Sequence, residues 1–84
     1  MRHPLWIKNY ENNFEQLTEE IGNLRYDALA DFLQKLSKKI EKDCLMDRER
    51  GRSKLANSLH SASGSLIKSS KEIETAWEIS EPYM

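Results

Sequence analysis

Residues 53–79 read SKLANSLHSASGSLIKSSKEIETAWEI, and this stretch decides the fold. Leu59, Leu66 and Ile73 recur every seven residues, with Leu55, Ala62, Ser69 and Ala76 recurring every seven between them. A third line, Ala56, Ser63, Ser70 and Trp77, is small at its first three positions. A seven-residue repeat keeps one helical face turned toward a neighbour. Small residues let a second backbone approach, while large ones fill the groove beside it. One long helix over 53–79 is expected, with Leu59, Leu66 and Ile73 largely buried and Ala62, Ser69 and Ala76 closest to the neighbouring helix. It should end near Ser80, because Pro82 disfavours helical conformation at Glu81.

Upstream of it, Asp47-Arg48-Glu49-Arg50-Gly51-Arg52-Ser53-Lys54 holds no apolar residue and carries the central glycine. A turn is expected near 47–53, with Ser53 available as a cap. Before the turn, an apolar stripe runs through Phe14, Leu17, Ile21, Leu24 and Ala28, then Leu29, Phe32, Leu33, Leu36 and Ile40. Spacings of three and four put these residues on one broad helical face. Asn13 with Gln16 three residues later resembles a capping box with Asn in the first position. Gly22-Asn23 interrupts the stripe and its phase drifts after Leu24, so a short helix over 13–22 and a longer one over 24–46 are expected. Both prolines sit at the ends, valine is absent, and no period-two run suggests a strand.

The chain therefore reads as all-α. A long helical hairpin (24–46 and 53–79) carries a short N-terminal helix (13–22), closing as a three-helix bundle per chain or as a four-helix-bundle-like dimer. Residues 1–12 form an N-terminal arm, 13–81 a single helical domain and 82–84 a C-terminal tail. Leu5, Trp6, Ile7 and Tyr10 of the arm are expected to fold back on the hairpin and cover Trp77.

At 84 residues the chain holds one domain. A domain this small buries roughly 60–65% of the surface its unfolded form exposes, so it gains from a disulfide, a metal or a partner. A single cysteine, Cys44, excludes a disulfide framework. No apolar run exceeds three residues, as in Leu5-Trp6-Ile7, which excludes a membrane span, and Met1-Arg2-His3-Pro4 opens no secretory signal. A cytoplasmic, non-membrane protein is expected.

Few residues suggest chemistry. His3, His60 and Cys44 are the soft metal ligands, and none stands three or four positions from another. The sequence therefore assigns no metal, no cofactor and no catalytic residue. Cys44 reads as a small apolar residue ending the first stripe, and His60 as lining an interface beside Leu59. The serines of 53–70 have only His60 near them as a base, so packing is their expected role.

Charge is unevenly distributed. Formal net charge is −1 overall, but residues 11–31 carry −5, residues 32–54 carry +4 and residues 71–84 carry −3. Folded as a hairpin, the chain becomes a rod with a basic turn end and an acidic open end. Lys35, Lys38, Lys39, Lys42, Arg48, Arg50, Arg52 and Lys54 are the candidate anion-binding residues. Four acidic residues lie among them, no aromatic side chain does, and the total charge is near zero, which argues against a nucleic-acid partner.

The turn sequence Arg50-Gly51-Arg52 contains no tryptophan, unlike secreted helical hairpins of similar length that carry Trp-x-Gly there. Small RNA-binding bundles share the architecture, which by itself says nothing about function. The expected core or interface is Leu29, Phe32, Leu33, Leu36 and Ile40 on one long helix. On the other it is Leu55, Leu59, Ala62, Leu66, Ile67, Ile73 and Trp77. Two helices leave part of that surface wet, so an antiparallel homodimer or an unidentified protein partner is expected to cover it. The reading is a non-enzymatic, self-associating adaptor or regulator; nucleic-acid binding through residues 35–54 is the alternative, and an enzyme subunit or small-ligand binder ranks third.

Overall fold

The computed structural model describes residues 3–83; Met1, Arg2 and Met84, the outer ends of the arm and tail, lie outside the described residues. Three helices follow in order: α1 (Phe14–Gly22), α2 (Tyr26–Glu49) and α3 (Ser53–Ser80), with a 3-10 turn at Glu81–Tyr83. The all-α hairpin with a short N-terminal helix is as the sequence implies. The connection between the long helices is tighter than the expected 47–53, because α2 runs on to Glu49 and α3 starts at Ser53.

Most boundaries have a local cause; the start of α3 is the exception, since Ser53 is its first residue and not its cap, and Arg52 before it makes no side-chain cap bond. Asn13 caps α1, its Oδ1 accepting the Gln16 N–H at 2.9 Å. At Gly22-Asn23 the helix stops, with the Asn23 and Leu24 amides donating to Glu19 O and Ile21 O. Arg25 precedes α2 without a side-chain cap, and Asp27 takes over by accepting the Ala28 N–H at 2.9 Å. Its carboxylate also sits where the helix dipole favours negative charge.

The hairpin turn is closed by Gly51, whose φ of +77° is left-handed. Its amide donates to Arg48 O at 3.0 Å, and the Arg52 amide donates to Asp47 O at 2.9 Å. That bond pair is a Schellman motif, in which glycine takes the left-handed position without strain. At the far end, Glu81 keeps helical angles (φ −51°, ψ −46°) despite preceding Pro82. The chain tightens into the 3-10 turn there, so Pro82 and Tyr83 continue the helical path and do not form a separate tail.

The hairpin is held along a line of small residues. Ala30, Ser37 and Cys44 of α2 and Ala56, Ser63 and Ser70 of α3 are the buried residues of the two helices. Both sets are spaced by seven. They meet in three layers, and in each a side chain of one helix donates to a backbone carbonyl of the other. Ser70 Oγ donates to Ala30 O at 2.7 Å, Ser37 Oγ to Ser63 O at 2.9 Å, and Cys44 Sγ to Ala56 O at 3.1 Å. Such bonds require the backbones to lie close, which only small side chains allow.

This placement corrects the expected seam. The closest line on α3 is Ala56, Ser63 and Ser70; Leu59, Leu66 and Ile73 are half-buried beside it, Ala76 is half-buried, and Ala62 and Ser69 are exposed. Close approach along the small line leaves no depth between the helices for a leucine, so the large side chains flank the contact.

The N-terminal arm differs too. Leu5 and Trp6 are 83% and 69% exposed, and Ile7 is exposed, so none of them covers Trp77. Instead the chain reverses at Asn9 (φ +68°), the Tyr10 amide donates to Ile7 O, and the Tyr10 hydroxyl donates to Glu20 of α1. One hydrogen bond, from Tyr10 to Glu20, ties the arm to α1, and three consecutive apolar residues cannot share one face. Trp77 is covered by the Arg25 guanidinium, 4.9 Å from the ring centroid. α1 does not approach either long helix as closely as they approach each other. Leu17 and Ile21 are half-buried and Phe14 is exposed.

Candidate functional site

The two sides of the hairpin have opposite character. With Ser37 and Ser63 facing each other, a turn of about 100° per residue sets every other position. Leu29, Leu33, Leu36 and Ile40 fall on one side of the α2 line, and Leu55, Leu59, Leu66 and Ile73 on the matching side of α3. Antiparallel helices bring these two sides to the same face. Glu41 and Arg48 of α2, and Asn57 and His60 of α3, fall on the other. Contacts agree with this phasing: His60 Nδ1 lies 3.3 Å from Glu41 Oε2, and Arg48 Nη2 donates to Asn57 Oδ1 at 3.4 Å.

The leucine face is incompletely covered. Leu36 is 38% exposed and Leu55 45%, while Leu29, Leu33, Ile40, Leu59, Leu66 and Ile73 are half-buried. Phe32 lies at its margin and is exposed; Ala62 adds exposed apolar surface on α3, and Trp77 is half-buried toward the open end. Ile67 falls on the polar face, half-buried. At the turn end His3 reaches the leucine face. There a shallow pocket of about 170 Å³ is lined by His3, Asp43, Met46, Asp47, Arg50 and Arg52 with Leu55 and Leu59. A more open hollow near 440 Å³ lies at the other end, beside Leu24, Arg25, Tyr26 and Ser80.

Surface area measures how much is left uncovered. The chain exposes 7122 Å² at 9.8 kDa, where a compact monomer of that mass exposes roughly 5,200 Å². The excess, about 1,900 Å², follows from the shape, 50 × 30 × 14 Å with a radius of gyration of 15.3 Å, against about 12 Å for a compact chain of this length.

The basic residues are partly neutralised where they stand. Lys35 pairs with Asp31 at 2.6 Å, Lys39 with Asp43 at 2.6 Å, and Arg52 with Asp47 at 3.3 Å. Lys39 and its hydrogen bonds hold the Asp43 carboxyl below the usual carboxylate range. Arg25, bidentate on Asp27 at 2.7 Å, does the same there. Lys35, Lys38, Lys39 and Lys42 lie on the back of α2, away from α3, and Arg48 lies near the contact line. The eight cations thus form no single patch.

One group was not foreseen from sequence spacing. Glu41, Cys44 and His60 bring one carboxylate oxygen, one thiol and one imidazole nitrogen within 4.8 Å of one another. Glu41 and Cys44 stand one turn apart on α2, and His60 arrives from α3 because Cys44 lies opposite Ala56, one turn earlier. A search for paired histidines and cysteines passes over it, since the pairing is completed across the hairpin. The spacing Glu41-x-x-Cys44 was the only local signal.

Comparison with protein-family models, with curated proteins and with solved structures returned no match. Among the described residues no helix is long and apolar enough to cross a membrane.

Proposed function

We propose that this chain is a non-enzymatic interaction module of the cytoplasm that self-associates through its leucine face and acts as an adaptor or regulator. The observation that carries this reading is the half-exposed apolar face formed by Leu29, Leu33, Leu36 and Ile40 with Leu55, Leu59, Leu66 and Ile73. An excess of about 1,900 Å² per chain exceeds the roughly 800 Å² that each partner of a standard interface buries. A second copy supplies an apolar face of identical shape, and a two-fold axis makes that face complementary to itself.

Charge sets the orientation. Residues 32–54 carry +4, and the two acidic segments 11–31 and 71–84 carry −5 and −3. Antiparallel pairing lays the basic turn end of one copy beside the acidic open end of the other; parallel pairing sets like against like. Each exposed pair contributes only about 0.2–1 kcal/mol, enough to choose between packings of similar apolar burial. Sedimentation equilibrium tests this, with a mass of twice 9.8 kDa expected at high micromolar concentration. Leu36→Glu places a charge on the exposed face without touching the Ser37–Ser63 line. It should yield a helical monomer. A wild-type chain that stays monomeric overturns the reading, and a dimer with its two Arg50 positions adjacent by spin labelling overturns the orientation.

A further inference from the structure

We propose that Glu41, Cys44 and His60 form a binding site for a single divalent transition-metal ion of the zinc class on the polar face of the hairpin. The site is separate from the leucine face and does not depend on self-association.

The donor set points to this chemistry. A thiolate, an imidazole and a carboxylate together suit zinc or cobalt(II), and exclude calcium and magnesium, which take oxygen ligands alone. Three protein donors with a fourth position left for water is the arrangement of an open zinc site. Charge balances: Glu41 and the Cys44 thiolate supply two negative charges to a divalent ion, with His60 neutral. Binding releases one proton, the thiol proton that Cys44 donates to Ala56 O, and the zinc–sulfur bond replaces that S–H bond.

The geometry is nearly assembled. The three donor atoms already lie within 4.8 Å of one another. Donors around a tetrahedral zinc stand roughly 3.3–3.7 Å apart, so a closure of about 1 Å completes the set. Both mobile partners can supply it. The His60 side chain is exposed and its Nδ1 already meets Glu41 Oε2 at 3.3 Å. Cys44 is the fixed point, buried at 1% exposure in the layer it forms with Ala56. Arg48 shares this groove, its Nη2 3.9 Å from Cys44 Sγ and 3.4 Å from Asn57 Oδ1. It must turn outward when the ion enters, which an exposed arginine does by rotamer change alone. Because the ion would bridge α2 and α3 near the turn, it adds a cross-link to a chain that has no disulfide.

Titration of the reduced wild-type chain with cobalt(II) tests the site. The expected result is one cobalt per chain, a near-ultraviolet thiolate-to-cobalt band, tetrahedral visible absorption and displacement by zinc. His60→Gln and Glu41→Gln should each weaken binding by about tenfold or more. His60 is exposed, so that variant keeps the fold, which circular dichroism checks. Cys44→Ser should abolish the ultraviolet band; serine can still donate to the Ala56 carbonyl. Absence of the band at saturating cobalt overturns the proposal. So does a cobalt affinity that neither His60→Gln nor Glu41→Gln weakens, or a stoichiometry of one ion per two chains.

Discussion

Ser37 and Ser63 hydrogen-bond each other's backbone carbonyls across the hairpin: Ser37 Oγ donates to Ser63 O at 2.9 Å and Ser63 Oγ to Ser37 O at 3.1 Å. Each hydroxyl has one proton, so this exchange uses both, and the 2.9 Å approach of the two oxygens is the alternative pairing. The pair lies at the centre of a near-symmetric seam, with Ala30–Ser70 on one side and Cys44–Ala56 on the other. Seven residues separate each layer from the next, on both helices.

Substitutions at Ser63 should separate size from polarity. Ser63→Ala removes the donor to Ser37 O but leaves Ser37 Oγ donating to the Ser63 carbonyl, and should cost about 1 kcal/mol. Ser63→Leu must push the backbones apart, breaking all three layers, and should cost several times more. Urea denaturation of the two variants compares them; an equal or smaller cost for leucine would show that the small line is not the close contact.

Leu66→Ala should depend on protein concentration. In the single chain Leu66 is half-buried, so its truncation should cost about 1–2 kcal/mol, less than the 2–5 kcal/mol of a fully buried leucine. Where a second copy covers the leucine face, the cost should rise toward the upper range. Thermal melts across a hundredfold concentration series measure the difference, and a concentration-independent cost would count against the dimer.

Two glycines should respond in opposite directions. Gly51 holds a left-handed φ with no atom within 4 Å of an added methyl group, so Gly51→Ala should destabilise by about 1–2 kcal/mol through backbone strain alone. Gly64 lies inside α3 with equally open space, and Gly64→Ala should stabilise by up to about 1 kcal/mol. Melting temperatures that shift the same way for both would contradict these assignments.

Acid should weaken the fold through Asp27 and Asp43. Arg25 and Lys39 hold these carboxyls below their ordinary range. Their contribution is therefore present above the unfolded carboxylate pKa, near 4, and is lost as pH falls through the lower folded values. The melting temperature should be flat above about pH 5 and decline below it. In the double variant Asp27→Asn with Asp43→Asn that decline should be shallower, and an unchanged profile would assign it to other groups.

Nucleic acid should bind weakly. Lys35, Lys39 and Arg52 are engaged by Asp31, Asp43 and Asp47, and the lysines of α2 point away from α3. Mobility-shift titration with duplex and single-stranded probes at near-physiological salt should show no submicromolar complex. Tight binding that falls steeply with added salt would promote residues 35–54 to a nucleic-acid surface.

The sequence by itself determined the helices and, to within a few residues, where they stop. Period, proline placement, Asn13 and Gly51 act through neighbours a few residues away, and local rules read such effects. It also contained the seam, since Ala56, Ser63 and Ser70 are small at intervals of seven; the matching line of Ala30, Ser37 and Cys44 is harder to read because Ser37 breaks the apolar pattern. Only the tertiary structure decided which of three heptad lines on α3 faces α2. That choice rests on hydroxyl and thiol groups finding carbonyls on the other helix, which no single-helix pattern encodes. The same choice set the leucines to one face and brought His60 to Glu41 and Cys44. The residues of that group stand up to 19 positions apart, and their meeting follows from the register of the hairpin, fixed by its three-residue turn.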